Sequence, residues 1–206
     1  MVAATKMKRA VEAVFRTRRY ANLSWGTILN ICNSFERSSE KHPFLKKPES
    51  VKKVAVILIT SNRGLCGGFN TNLLSKMHRR IERLKKKENV NLNVDILAMG
   101  KKAYGAQKYY GYNIVADFEK PELMTSLNFN QVRVVGKAAK NGYLYEDYDQ
   151  VFLAYTDYIS ASNQFPRIKQ LLPIELDKKD EFLGKTRSVF GEKEELNSDI
   201  LNTNCW

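Results

Sequence analysis

The chain has 206 residues, of which 43 % are hydrophobic and 27 % charged, with 34 Lys and Arg against 22 Asp and Glu and a formal net charge of +12. That composition supports a packed core and excludes a wholly disordered chain. The positive excess favours phosphate-rich, anionic-membrane or acidic protein partners and does not choose among them.

Residues 1 to about 38 contain no proline and one glycine, Gly26. Steps of three and four residues pick out Ala4, Met7, Val11, Val14, Arg18, Ala21, Trp25, Ile28, Cys32 and Phe35, all apolar or small except Arg18. A 3.5-residue period held this long predicts a coiled-coil seam. The alternative is an amphipathic helix packed on the domain, which would usually be shorter and end at a cap. Gly26 costs such a helix about 1 kcal/mol against Ala. No other segment carries a comparable seam, so the second strand is expected from another molecule or from a part of the parent protein outside this chain. Lys6, Lys8, Arg9, Arg16, Arg18 and Arg19 face a single acid, Glu12, in this stretch. They form either a solvated basic face or a face turned to acidic protein surfaces.

Residues 41–52 read as a charged linker with two prolines. The apolar, β-branched run 53–60 predicts a strand buried on both faces. Residues 70–89 predict a helix with Leu73, Met77, Ile81 and Leu84 on its inner face and Asn70 or Thr71 as N-cap. Its outer face carries Lys76, Arg79, Arg80, Arg83, Lys85, Lys86 and Lys87. Then follow a strand at 92–99, a short helix within 99–112, a strand at 113–118 and a helix over about 128–141. A strand at 149–160 pairs with 167–176 across "ASNQFP" as a hairpin. Strand–helix alternation predicts an α/β fold, a mostly parallel doubly wound sheet with an antiparallel edge, where Pro173 would fit. Residues 53–176 thus form one domain and 177–206 a polar tail.

Between the first strand and its helix lies "TSNRGLCGGFN", 60–70. A loop at this point in a parallel sheet is where phosphates bind. However, no Lys-Ser or Lys-Thr follows the glycines, and they do not have dinucleotide spacing. Cys66, beside Arg63 and near a helix N-terminus, is a candidate reactive thiol, although no histidine is near in sequence to act as base. A small side chain in a tight turn is the commoner case. The residues alone leave these readings open, including a nucleotide-binding α/β enzyme using loop 61–68.

Cys32, Cys66 and Cys205 are far apart and odd in number, with no disulfide framework or zinc spacing. His42 and His78 lack ligand-spaced neighbours and read as surface residues, so no metal or other cofactor is expected. No apolar stretch reaches the roughly 18–20 residues that span a bilayer, and the first residues show no signal-peptide apolar core. The basic run 76–87 raises nucleic-acid binding, but it lacks the interleaved aromatics that stack on bases.

Three segments in order, "MVAATKMKRA" at 1–10, "ITSNRGLCGGFNTNL" at 59–73 and "DQVFLAYTDYISASNQFPRIKQLLP" at 149–173, resemble the gamma subunit of the rotary, F-type ATP synthase. In that family they are Met-Val-Ala-Ala-x-Lys-Met, Ser-Asp-Arg-Gly-Leu-Cys-Gly-Gly after a strand, and Tyr-Asn-x-Phe-x-Ser leading to Leu-Leu-Pro. "MGKKAYGAQKYYGY" at 99–112 is similar to a Gly-x-Lys-Gly motif of the same family. The resemblance covers most of residues 1–175. It departs at Asn62, where an acid is usual, at Thr156 and Asp157 in place of the Asn region, and at Tyr158 in place of Phe.

The resemblance implies a rotor, the central stalk. Residues 1–40 would be one strand of a coiled-coil shaft and 53–176 a Rossmann-like foot. The tail would lead to a missing C-terminal helix, so that the chain is cut at both ends and cannot support coupled rotation alone. The implied partners are the alpha and beta subunits, the epsilon subunit and the membrane c-ring, with one copy per complex, no homo-oligomer and no nucleic acid. The subunit would itself be non-catalytic. It would couple proton or ion flow to ATP synthesis or hydrolysis at the beta subunits, peripheral on the cytoplasmic face of a bacterial inner membrane. Carried over as interface and coupling residues are Lys6, Lys8, Arg9, Ser61, Arg63, Gly64, Leu65, Cys66, Gly67 and Gly68. No catalytic, cofactor or metal residue is carried over.

Overall fold

A computed structural model describes residues 2–36, 42–88, 91–118 and 129–175. The predicted polar tail, with Cys205, lies outside the described residues. Helix α1 runs Val2–Glu36, followed by β1 (Lys53–Ile59), α2 (Phe69–Glu88), β2 (Asn93–Met99), a 3-10 turn (Lys101–Tyr104) leading into α3 (Gly105–Tyr110), β3 (Asn113–Asp117), α4 (Phe129–Leu144), β4 (Gln150–Ser160) and β5 (Asn163–Leu172).

The five strands form one sheet in the order β3-β2-β1-β4-β5. β1 pairs parallel with both β2 and β4, β2 pairs parallel with β3, and β5 runs antiparallel at the edge. This is the doubly wound α/β sheet expected from the alternation of strands and helices. β1 shows why. Its side chains alternate across the sheet, and both faces are covered. Val54, Val56 and Leu58 pack under Leu73, Leu74, Met77, Ile81 and Leu84 of α2, together with Ala103 and Ala106 near α3. Ala55 and Ile57 pack on the other face with Val135 and Ala139 of α4. Each large aliphatic side chain buried in this way stabilises the fold by about 1.5–3 kcal/mol. The inner face of α2 is the one its periodicity predicts, with Leu74 and Asn70 added.

Three local expectations change. The helix α2 starts at Phe69, so Asn70 lies inside its first turn and is not the N-cap. The hairpin turn is only Ala161 and Ser162, since Ser160 pairs with Asn163 and β5 extends back through Pro166. Proline is tolerated there because β5 is an edge strand, whereas Pro173 falls just past its end. The segment 42–52 is also not a free tether. His42 caps a 3-10 turn over Pro43–Leu45, Tyr143 donates to the Lys46 carbonyl at 3.0 Å, and the Phe44 carbonyl accepts from Ile174 N–H at 2.8 Å.

The apolar stripe of α1 is half open. Met7, Val14, Ile28 and Phe35 are exposed, whereas Arg18 and Cys32 are buried and burial pushes the Cys32 thiol upward. Neither core cluster contains an α1 residue. The described residues therefore leave about half of the stripe uncovered.

Candidate functional site

Loop 60–68 leaves the carboxyl end of β1, beside β4, where the chain's crossovers turn to opposite sides of the sheet. This is the position at which doubly wound sheets bind ligands. Here the loop is tied internally. Asn70 folds back from α2: its Oδ1 accepts from Ser61 N–H at 3.1 Å, while its Nδ2 donates to Ser61 Oγ at 2.8 Å and to Cys66 Sγ at 3.1 Å. Ser61 Oγ donates to the Arg63 carbonyl at 2.7 Å. Cys66 O accepts from Phe69 N–H, and Gly68 O accepts from Asn72 N–H.

A second loop is clamped to the first. Thr60 N–H donates to Met99 O at 2.8 Å, and Lys102 N–H to Ser61 O at 3.1 Å. Thr60 Oγ1 reaches Gly100 O at 3.0 Å, and Asn62 Oδ1 accepts from Lys101 N–H at 3.1 Å. Gly100 is required at this crossing. Its φ is +105°, and a Cβ there would stand 2.3 Å from Thr60 O. The β1 and β2 loops thus form one unit at the end of the sheet.

At its tip stands Leu65, fully exposed and in the left-handed region at φ 61°. Gly67 follows at φ 56°. Leucine in that region is disfavoured by about 1–2 kcal/mol, so the loop holds an apolar side chain in water at a conformational cost. The N–H groups of Ser61, Phe69 and Asn72 are already bonded within the loop and helix start. The amide of Asn72 also lies over Gly68, where a Cβ would meet its Nδ2 at 2.7 Å.

The expected site residues fall into two groups. Ser61, Arg63, Gly64, Leu65, Cys66, Gly67 and Gly68 come together in this loop, with all but Ser61 exposed. Lys6, Lys8 and Arg9 are exposed on the first part of α1, a different element. Among the described residues, no group of three or more His, Cys, Asp or Glu could hold a metal ion.

The residue patterns left three features unread. Asn70 organises the loop from nine residues away. His78 is not an ordinary surface residue: it stacks on Tyr110 with ring centroids 4.2 Å apart, and its Nδ1 lies 2.7 Å from Tyr112 Oη, a buried phenol whose pKa burial raises. The third is a buried ion triad joining α1 to the hairpin: Arg18 Nη2 donates to Asp157 Oδ1, and Arg167 Nε to Asp157 Oδ2, each at 2.7 Å. The lone cation in the apolar stripe was its only visible signal.

A family model described as ATP synthase matches residues 1–204. The chain is 35 % identical over 184 residues to the ATP synthase gamma chain of Leptospira biflexa serovar Patoc, covering 86 % of this chain and 59 % of that protein. It is 29 % identical over 211 residues to the ATP synthase gamma chain of Chlorobaculum parvum, covering 100 % of this chain and 71 % of that one. Its fold is similar to a chain in the central stalk and c-ring structure of the Tetrahymena thermophila mitochondrial ATP synthase, with a TM-score of 0.58 and 23 % identity over 84 % of this chain and 70 % of that chain. The match to the Leptospira relative spans 59 % of that protein's length.

Proposed function

Because the chain belongs to the ATP synthase gamma-chain family, we propose that it serves as a central-stalk rotor subunit, carrying rotation between a membrane ring and catalytic subunits without making or breaking bonds itself. The observation that carries this is the pairing of a 35-residue helix, half of whose apolar stripe faces water, with a separately cored sheet domain. A helix of that length with exposed Met7, Val14, Ile28 and Phe35 requires a second helix to cover it. In this reading residues 1–40 are one strand of a coiled-coil shaft, 41–52 the connection and 53–176 the foot.

The loop at the end of β1 is read as a mechanical contact. Leu65 would press into a catalytic subunit, Arg63 would pair with acids there, and Ser61, Gly64, Cys66, Gly67 and Gly68 would hold the tip in shape. Lys6, Lys8 and Arg9 would face acidic surfaces of the surrounding alpha and beta subunits. The foot would rest beside the epsilon subunit and on the c-ring, one copy per complex. The complex would sit on the cytoplasmic face of a bacterial inner membrane. No helix among the described residues is long and apolar enough to cross a membrane, so the attachment proposed here is peripheral.

Coexpression with alpha and beta subunits tests this. The chain is expected to enter the complex at one copy per alpha–beta hexamer and to cross-link from Cys66 to a beta subunit. A chain that stays free while the hexamer forms would overturn the reading.

A further inference from the structure

Arg18 is the one cation in the apolar stripe of α1, and it is buried to 3 % exposure, as is Asp157 on β4. Its Nη2 donates to Asp157 Oδ1 and to the Tyr158 carbonyl, both at 2.7 Å. The second Asp157 oxygen is held by Arg167 of β5. Two cations share one carboxylate, so among the described residues the cluster carries a surplus positive charge. In addition, Arg18 Nε and Nη1 find no hydrogen-bond partner among the described residues.

Such a cluster is poorly suited to stabilisation. Desolvation of buried charge offsets the attraction, and apolar side chains of similar volume often serve stability as well or better. What it supplies is direction. One nitrogen bonding both a carboxylate and the next residue's carbonyl is satisfied at one rotation and one height of the helix. Apolar contacts, by contrast, tolerate sliding. The residues a turn away on the same face, Val14, Phe15, Ala21 and Asn22, carry no charge, so a slip by one turn would leave Asp157 without its α1 partner.

We propose that the Arg18–Asp157–Arg167 triad is a register key, with Arg18 as the positioning residue that fixes the rotation and height of α1 on the β4–β5 end of the sheet. Its mechanical use rests on the shaft reading, since a shaft must not turn against its foot, but the key itself can be tested on the chain alone.

The test is a pulsed electron-resonance distance between spin labels at Tyr20→Cys on α1 and Lys137→Cys on α4, both exposed positions, with Cys32, Cys66 and Cys205 replaced by serine or alanine. The parent is expected to give one narrow distance. Arg18→Met is expected to lose that narrow peak while the sheet domain keeps its circular dichroism and cooperative melt. Arg167→Met removes an equal charge and bond from the same carboxylate and is expected to keep the peak. A narrow peak in Arg18→Met, or equal broadening in both variants, overturns the proposal. If Arg18→Met melts the sheet domain, Arg18→Lys decides, because it retains the charge without the forked geometry. Loss of the peak then supports the key and retention overturns it. No alpha or beta subunit is present, so failure here is distinct from failure to assemble.

Discussion

Leu65 is the residue at which folding and the proposed contact pull apart. Its φ of 61° suits glycine, and its side chain touches solvent on all sides. Leu65→Gly is expected to stabilise the isolated chain by about 1 kcal/mol, by relieving the left-handed strain, and to weaken association with the catalytic subunits. Chemical denaturation and a binding assay on the same variant check both halves. A loss of stability would mean that the leucine packs in the free chain. The glycines made the loop itself legible in the sequence, but Leu65's conformation was not, because any non-glycine residue is expected at negative φ. Asn70 was misread for a related reason. N-cap rules examine neighbours in the chain, whereas its partner Ser61 lies across the loop.

Among the elements, α1 is tied to the sheet at Arg18 but lies outside its core clusters. No α1 residue belongs to either core cluster, and Asp157 would retain Arg167 if Arg18 were gone. A chain lacking residues 1–40 is therefore expected to keep the circular dichroism of the α/β domain and a cooperative thermal melt. Loss of cooperativity on calorimetry would show instead that α1 completes the core. The inner strands β1 and β2 were legible nearly to the residue, because strands buried on both faces read as apolar runs. The hairpin was less so. Asn163, Gln164 and Pro166 resemble turn residues, yet they lie in β5, where one side of the strand has no ladder to maintain. Only Arg18 hinted at how α1 is seated. Its partner 139 residues away depends on the tertiary fold, which no local pattern encodes.

At the scale of the whole molecule, buried and half-buried phenols contribute to the response to alkali. Burial and the nearby Asp95 carboxylate, which also accepts its hydrogen bond, push Tyr148 up to about 12. Burial and Asp157 push Tyr155 up to about 12 as well. Burial likewise raises Tyr112 and Tyr143. An unfolded tyrosine ionises near about pH 10, so above that value the unfolded chain releases protons that the folded chain retains. The stability these groups contribute is complete below about pH 10 and is lost as pH rises toward about 12. Melting temperatures are expected to fall over that window, and less steeply in Tyr148→Phe. An identical slope in that variant would show that the phenol does not contribute.

The clamp between the β1 and β2 loops determines how the sheet would carry a load. Thr60, Ser61 and Asn62 bind Met99, Gly100, Lys101 and Lys102, so a push at the Leu65 tip enters two adjacent strands together. β1 is bonded along its length to β2 and β4, and a force along its axis loads those bonds in shear. Bonds loaded in shear yield as a set, whereas bonds that are peeled yield one after another. The end of the sheet therefore behaves as a cross-tied girder, stiff along the strands.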